Sequence, residues 1–434
     1  MDTVLYESTR GGCECTYPDT LLKGIAGNGG LFVPKTWPKF SEHDRAKLIK
    51  ARSYKQVAYR VMAPYLDKKT RRVLKRLLDK AYSKKKFGSR IVPIKKLEDE
   101  LYLLQVSEGP TWAFKDMALQ LLAELLDYWL EELGEYLNII VATSGDTGSA
   151  AIEAFRGRKR ITVTVLSPAQ GNMSSAQKKQ MYGVNDKRVH NIIIEGDFDD
   201  CQALVKAIMD DKAFADAHHL GLVNSINWTR IIAQTVYFVW AWSRLAKSPN
   251  SPVAFSVPSG NFGDAYACFV ALMMDIPIAR IVVATNKNDV LDRFFKTGRY
   301  DARHGEMMTP THSPSMDIKL ASNFERLLSE AFGRDGIAVN MLMMKMDAKK
   351  GWQGWFDISR ESPFSRLAEW GFVSGSCSDS ATRGAIHMAY ERYGVVLDPH
   401  TAVAFHVGLS KVVRGIPLVV VETARWEKFP DTIE

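Results

Sequence analysis

From about residue 100 onward, short, continuous apolar segments alternate with segments of helical pattern, and this alternation limits the fold more than any other feature. The apolar segments are LNIIVAT (137–143), ITVTVLSP (161–168), NIIIEGD (191–197), VAFSVP (253–258), RIVVATN (280–286) and PLVVVET (417–423). Strands without a polar face, when separated by helices, form parallel sheets that are covered on both sides. The sequence therefore predicts an α/β fold of parallel sheets with helices on both faces.

The chain has 434 residues, and at roughly 150 residues per domain two or three domains are expected. The first 95 residues carry helix and turn patterns and end in a basic stretch. We predict an N-terminal helical lobe (1–95), a smaller α/β lobe (96–220) and a larger α/β lobe (221–434), with crossing of the chain between the last two left open.

The net charge of +8 allows an anionic partner, and much of the excess lies between Lys68 and Arg90. That stretch has neither the aromatic interleaving nor the module expected of a nucleic-acid site. A solvated helix face is favoured, so we expect no nucleic-acid partner. The charge is still compatible with a small anionic substrate.

Other features point to a cytoplasmic protein. The five cysteines are odd in number and scattered, which argues for ordinary thiols in a reducing compartment. The segment MDTVLYESTR has no apolar core typical of a signal peptide, and no apolar run approaches the roughly 18 residues of a membrane span. We expect no catalytic metal, because no metal-site spacing relates the histidines considered, which are His190, His218, His219, His304, His312 and His400.

The loop Ser259-Gly260-Asn261-Phe262-Gly263-Asp264 joins a predicted strand to a predicted helix. Glycines allow close backbone approach, and successive N–H groups at a helix N-terminus form an anion cradle. A dinucleotide site would need G-x-G-x-x-G and a later acidic residue, whereas the spacing here is G-x-x-G. The loop suits a single phosphate better than a pyrophosphate, although a simple tight turn explains it equally well.

A second strand-to-helix turn is ATSGDTGSAA, which places Ser144, Asp146 and Thr147 in one loop. Its hydroxyl and N–H donors suit the carboxylate of a substrate. Asp146 is alternatively a helix N-cap.

Lys115 follows Trp112, Ala113 and Phe114 near the start of a predicted helix. Burial there would lower the pKa of the amine and make it nucleophilic. Beside a phosphate cradle, such an amine suits a Schiff base to pyridoxal 5′-phosphate. A lysine that snorkels from an apolar face is the alternative.

Together these residues resemble the threonine synthase family, pyridoxal-phosphate enzymes of fold type II with a tryptophan-synthase-β-like fold. The resemblance extends nearly end to end. Its motifs are YESTRGG, GLFVP, GPTWAFKDMALQ, SGDTGSAA, GDFDDCQALVK, NSINWTRIIAQ, VPSGNFGD, ATNKND, SPSMDIKLASNFERLL, DPHTAVA and ETARWEKFPD.

The resemblance implies roles for individual residues. Lys115 would bind the cofactor and shuttle protons, and Thr423 would present its hydroxyl to the ring nitrogen. The phosphate would be held by Ser259, Gly260, Asn261, Phe262 and Gly263. The substrate would be bound by Thr111, Ser144, Asp146, Thr147 and Arg425.

The implied reaction is the conversion of O-phospho-L-homoserine and water to L-threonine and phosphate, by a monomer or homodimer. Two segments depart from the family pattern. A basic residue expected in P-x-G-R-V-S is replaced within Gly171-Asn172-Met173, and T-A-H-P-A-K-F-P reads Thr423-Ala424-Arg425-Trp426-Glu427-Lys428-Phe429-Pro430. Arg425 would compensate for the lost cation, since a guanidinium binds phosphate bidentately.

Two alternatives remain at this stage. The departures are compatible with a pyridoxal-phosphate enzyme of similar type that acts on a different phosphorylated or otherwise activated amino acid in a specialised pathway. A catalytically silent binding protein is disfavoured, because an inactive site has no physical reason to keep Lys115, the phosphate loop and Thr423 together.

Overall fold

A computed structural model describes residues 4–143, 145–169, 173–196, 198–223, 225–303, 308–347 and 353–433. Four residues named above, Ser144, Gly171, Asn172 and His304, lie outside these ranges. In the described part, strands β1 to β15 are, in order, Tyr6–Ser8, Glu14–Cys15, Phe32–Pro34, Ile94–Glu98, Leu101–Gln105, Leu137–Ala142, Ile161–Pro168, Val189–Ile194, Leu220–Gly221, Val253–Pro258, Ile278–Thr285, Arg299–Asp301, Trp355–Asp357, Phe372–Ser376 and Leu418–Glu422.

Helices α1 to α19 of the described part are also numbered in chain order. They are, in order, Tyr17–Lys23, Glu42–Ile49, Tyr54–Met62, Lys68–Ala81, Lys84–Phe87, Lys115–Leu133, Asp146–Phe155, Ser175–Tyr182, Phe198–Asp210, Lys212–Ala217, Trp228–Leu245, Gly263–Met273, Val290–Thr297, Phe324–Ala331, Gly336–Lys345, Ser362–Glu369, Asp379–Tyr393, Pro399–Leu409 and Pro430–Ile433.

Two sheets dominate the fold. The larger has the order β14-β11-β10-β15-β5-β4, in which only the edge strand β4 is antiparallel to its neighbour. The smaller has the order β8-β7-β6-β9 and is parallel throughout. A three-stranded antiparallel sheet, β2-β1-β3, lies near the N-terminus, and β12 pairs with β13. The predicted α/β class with parallel sheets is confirmed.

Both faces of the larger sheet are buried, as the continuous apolar strands predict. Ala254 and Val420 pack in the cluster that includes α18, whereas Phe255 and Val419 point to the opposite, larger cluster. Helix α11 runs through that larger cluster, where it packs against α3, α6 and α12.

The strands of the larger sheet come from two separate parts of the sequence, before and after the smaller sheet. Strand β5 precedes the whole smaller sheet in sequence, yet it pairs with β15 of the larger one. The chain then enters the smaller sheet through α6 and returns after β9. The division into 1–95, 96–220 and 221–434 therefore stays a prediction. Among the described residues, the structure has no helix that is both long and apolar enough to cross a bilayer.

Candidate active site

The polar side chains of the site come from loops at the carboxyl ends of parallel strands. Asp146 follows β6, the loop 259–264 follows β10, and Thr423 follows β15. In open α/β sheets such ends form the usual binding crevice. One cavity is lined by residues from all three loops together with Lys115, the first residue of α6.

Lys115 is largely buried, with an aromatic ring beside its amine. Its Nζ is 4.6 Å from the ring centroid of Phe114, and its side chain is 11% exposed. Burial lowers the pKa of the amine, and the charges of Lys428 and Arg230 add to this, although Asp146 opposes them. A buried amine with a lowered pKa is suited to nucleophilic and proton-transfer chemistry.

Asp146 is the anionic centre of the site. Its Oδ2 is 3.6 Å from Lys115 Nζ and accepts a hydrogen bond from Ser315 Oγ at 3.2 Å. Its Oδ1 is 2.6 Å from Lys428 Nζ and accepts from Gln177 Nε2 at 3.0 Å. Burial works against ionisation, but the positive charges of Lys428 and Lys115 outweigh it and hold the pKa of Asp146 well below its usual range.

Lys428 was not singled out from the sequence, yet it is fully buried. Besides the ion pair with Asp146, its Nζ donates to the carbonyl of Thr111 at 2.9 Å. Burying a charge costs several kcal/mol unless it is paired and hydrogen-bonded, and Lys428 meets both conditions. The sequence did contain one indication that Lys428 matters, since this lysine is shared with the family pattern T-A-H-P-A-K-F-P.

His400 joins the same network. Its Nε2 accepts from the backbone N–H of Ser315 at 3.2 Å, so its Nδ1 carries the proton and donates to Asp398 Oδ1 at 2.8 Å. This arrangement fixes the tautomer of the ring. His400 therefore positions the Ser315 loop, whose hydroxyl contacts Asp146.

The loop between β10 and α12 has the geometry of an anion cradle. Phe262 has a φ of 61° and lies at the N-cap of α12. Within the described residues, the N–H groups of Gly260, Asn261, Phe262 and Gly263 donate to no protein acceptor, and the buried Ser259 hydroxyl has no partner either. Donors left open at a helix N-terminus fit a phosphate ester.

Thr423 is buried at the end of β15, where its carbonyl accepts from the N–H of Phe114 at 2.8 Å. Thr423 lines the cavity, and its hydroxyl makes no hydrogen bond to another described residue. A hydroxyl in this position fits a neutral ring nitrogen. The donor set as a whole therefore fits pyridoxal phosphate.

The remaining residues predicted to bind the substrate differ in whether they line the cavity. Thr147 lines the cavity. Thr111 does not, because its N–H and hydroxyl donate to the two oxygens of buried Asp116, at 2.7 and 2.9 Å. Arg425 also lies outside the cavity lining: it pairs with Glu427 at 2.5 Å and covers the ring of Trp112. The substrate roles of all three stay predictions.

The chain is similar to known proteins along nearly its whole length. A sequence model described as pyridoxal-phosphate dependent enzyme matches residues 87–341, and one described as threonine synthase N terminus matches residues 5–82. A threonine synthase of Methylobacillus glycogenes is 44% identical over 99% of this chain and 91% of its own length.

Solved structures are similarly close. A pyridoxal-phosphate-bound threonine synthase from Brucella melitensis has a TM-score of 0.93 and 41% identity, covering 99% of this chain and 90% of the other. The threonine synthase from yeast has a TM-score of 0.91 and 34% identity, covering 99% and 89%. These matches favour the family reaction over a different activated amino acid. The chain therefore belongs to the threonine synthase family of pyridoxal-phosphate-dependent enzymes.

Proposed function

We propose that this protein converts O-phospho-L-homoserine and water to L-threonine and phosphate. The observation that carries the proposal is the buried amine of Lys115, which faces the same cavity as the open N–H donors of the loop 260–263. When bound, pyridoxal phosphate supplies an electron-accepting ring conjugated to the substrate amine. Lys115 would hold it covalently, Ser259 and the loop its phosphate, and Thr423 its ring nitrogen.

The chain's own residues then handle protons. With pyridoxal phosphate joined to the substrate, the Lys115 amine would be free, and its lowered pKa suits it to take a proton from the substrate Cα. Asp146, 3.6 Å away, stabilises the ammonium that forms. Lys428 keeps Asp146 ionised, so the carboxylate does not compete for that proton.

The walls of the cavity limit access by water. Lys115, Asp146, Ser259 and Thr423 are all buried or nearly so, and Met316 and Phe114 provide apolar lining. Water has to reach Cβ only after phosphate has left Cγ, so an enclosed site favours the ordered reaction.

The test is turnover by purified protein loaded with pyridoxal phosphate. We expect phosphate and L-threonine to be released together from O-phospho-L-homoserine, and borohydride to attach the cofactor to Lys115. Lys115→Ala should lose turnover and the visible absorbance of the bound cofactor. Lys287→Ala is the matched control, because Lys287 is a partly exposed lysine in an ion pair with Asp379. Cofactor-loaded wild-type protein that forms no threonine would refute the proposal.

We also propose a cytoplasmic location and a monomeric or homodimeric state. The location rests on the cysteine pattern and on the lack of apolar spans in the sequence. Light scattering of the holoenzyme would test the oligomeric state.

A further inference from the structure

A groove formed by residues 4–79 collects positive charge away from the active site. It is lined by the loop 36–40 and by α2, α3 and α4, and it has a volume of about 1130 Å³. Seven basic side chains line it, but only two carboxylates, those of Asp44 and Asp79. None of its lining residues in the described part of the chain also lines the active-site cavity. A concave surface with an excess of one charge attracts ligands of the opposite charge.

The basic side chains of this groove are only partly neutralised by the protein. Three of the seven already have a carboxylate partner, in the pairs Lys39–Asp275, Lys47–Asp44 and Lys55–Asp79. The other four form no ion pair with a described residue, and they are Lys50, Arg60, Arg71 and Lys75. Like charges gathered in one groove repel one another, and an anionic ligand would relieve that repulsion.

Arg71 is the most firmly held of the four. Its Nη2 donates to the Leu66 carbonyl at 2.9 Å, which fixes the guanidinium beside the groove. Its Nε is buried and makes no hydrogen bond to another described residue. Buried N–H donors are nearly always paired, so an open donor in the lining of a groove calls for an acceptor on a ligand.

Lys75 follows Arg71 by one helical turn, so the two side chains share one face of α4. Its ammonium is 5.3 Å from the ring centroid of Tyr59 on α3, and both residues line the groove. Arg72 and Arg76, the next residue after each, are exposed and do not line it. The basic stretch of α4 is therefore a solvated face on one side and part of the groove on the other.

The lining suits a small anion that carries several phosphates and a flat ring. A guanidinium binds phosphate bidentately, and an ammonium binds it as a point charge. Tyr59 and Trp37, both partly buried, add aromatic side chains to the same lining, and aromatic rings stack on nucleobases. Because the sequence carries no nucleic-acid module, a mononucleotide is favoured over an RNA strand.

We propose that this groove is a binding site for a nucleoside triphosphate, with its phosphates at Arg71 and Lys75. The ligand is held by charge and hydrogen bonds, and no covalent bond is formed or broken. The site does not depend on the proposed function, since it shares no lining residue with the active-site cavity in the described part of the chain. Its test is therefore valid whether or not the protein turns over O-phospho-L-homoserine.

The experiment is isothermal titration calorimetry of the holoenzyme with ATP, at about 0.15 M salt and without divalent metal. The holoenzyme is used because the cofactor phosphate would then occupy the loop 260–263. Wild type is compared with the double variant Arg71→Gln/Lys75→Gln. The matched control is Arg72→Gln/Arg76→Gln, which removes the same two charges from the same helix outside the groove.

We expect wild type to bind about one ATP per chain, and the groove variant to bind it at least about tenfold more weakly, as for loss of hydrogen bonds to charged groups. The control variant should bind within about twofold of wild type, because salt screens charges outside the site. Tripolyphosphate should bind more weakly than ATP, since it lacks the ring that would stack on an aromatic side chain.

Four results would overturn the inference. One is the absence of ATP binding by wild type at about 1 mM. Another is equal weakening by the control variant, which would show attraction by net charge alone. The third is binding of tripolyphosphate as tight as that of ATP, and the fourth is tighter binding of single-stranded RNA. If the double variant does not fold, Lys75→Gln is compared with Arg76→Gln, with an expected loss of at least about threefold for the first.

Discussion

Replacement of Lys428 by methionine tests whether the buried ion pair organises the site. Lys428→Met keeps the length of the apolar side chain and removes the ammonium that lies 2.6 Å from Asp146 and 2.9 Å from the Thr111 carbonyl. Asp146 then stays buried with Lys115 as its remaining cationic neighbour at 3.6 Å. Removing one member of a buried ion pair costs about 3–5 kcal/mol, because the other charge is left without its partner.

The assay is urea unfolding of the cofactor-free protein at neutral pH. With an m-value of about 3 kcal/mol/M or more for a chain of this size, the midpoint should fall by about 1 M. The matched control is Lys287→Met, which removes an ammonium 2.7 Å from Asp379 in a pair that is 44% exposed on the lysine side. Exposed ion pairs contribute about 0.2–1 kcal/mol, so the urea midpoint of the control should hardly change.

A double variant sharpens the test. Asp146→Asn combined with Lys428→Met leaves no unpaired carboxylate, and it should recover part of the lost stability. If Lys428→Met shifts the midpoint no further than Lys287→Met, the reasoning about buried charge at this site is refuted.

Two further predictions concern the phosphate loop and its surroundings. Burial raises the pKa of Asp264 to about 7, so the folded protein keeps a proton that the unfolded chain loses near about pH 4, and stability falls as pH rises between these values. In Asp264→Asn the amide oxygen can still accept from Tyr237. The free energy of unfolding of this variant, measured by urea unfolding, should rise relative to that of wild type by about 2–3 kcal/mol as the pH increases from about 5 to about 8. A difference between the two proteins that does not change with pH would contradict the prediction. Gly260→Ala places a Cβ 2.9 Å from the Ser315 carbonyl oxygen and 3.1 Å from Met316 Cα, so it should cost about 1–3 kcal/mol and weaken cofactor retention in equilibrium dialysis. The control Gly384→Ala, in α17 with no heavy atom within 4 Å, should be neutral or stabilising by up to about 1 kcal/mol.

Local sequence pattern was enough for the interior of the fold. ITVTVLSP coincides with β7, Ile161–Pro168, because a run rich in β-branched residues that ends at a turn residue is typical of a strand, even though Thr162 and Thr164 are only partly buried. Strand β14, Phe372–Ser376, was missed because it lies at an edge and mixes buried with partly exposed positions. The pattern there is too weak to distinguish a strand from a loop.

The site was predictable only where a local motif carries the chemistry. Lys115 and the loop 259–263 each have a sequence context that points to their role. Lys428 is shared with the family pattern of the tail, but its neighbours Glu427 and Phe429 give no local indication of an ion pair with Asp146, which only the fold brings close. Nearness in sequence is not enough either, because Arg425, two residues after Thr423, pairs with Glu427 and is not among the residues that line the cavity.

The C-terminal tail has a consequence for how the enzyme is made. Its residues bond to the turn before α6, through Thr423 to Phe114, Arg425 to Trp112 and Lys428 to Thr111, the last across 317 positions of sequence. During synthesis, Lys115 is therefore translated long before the tail residues that contact the neighbouring turn and the site. Cofactor capture in the native geometry has to wait until translation has passed residue 428.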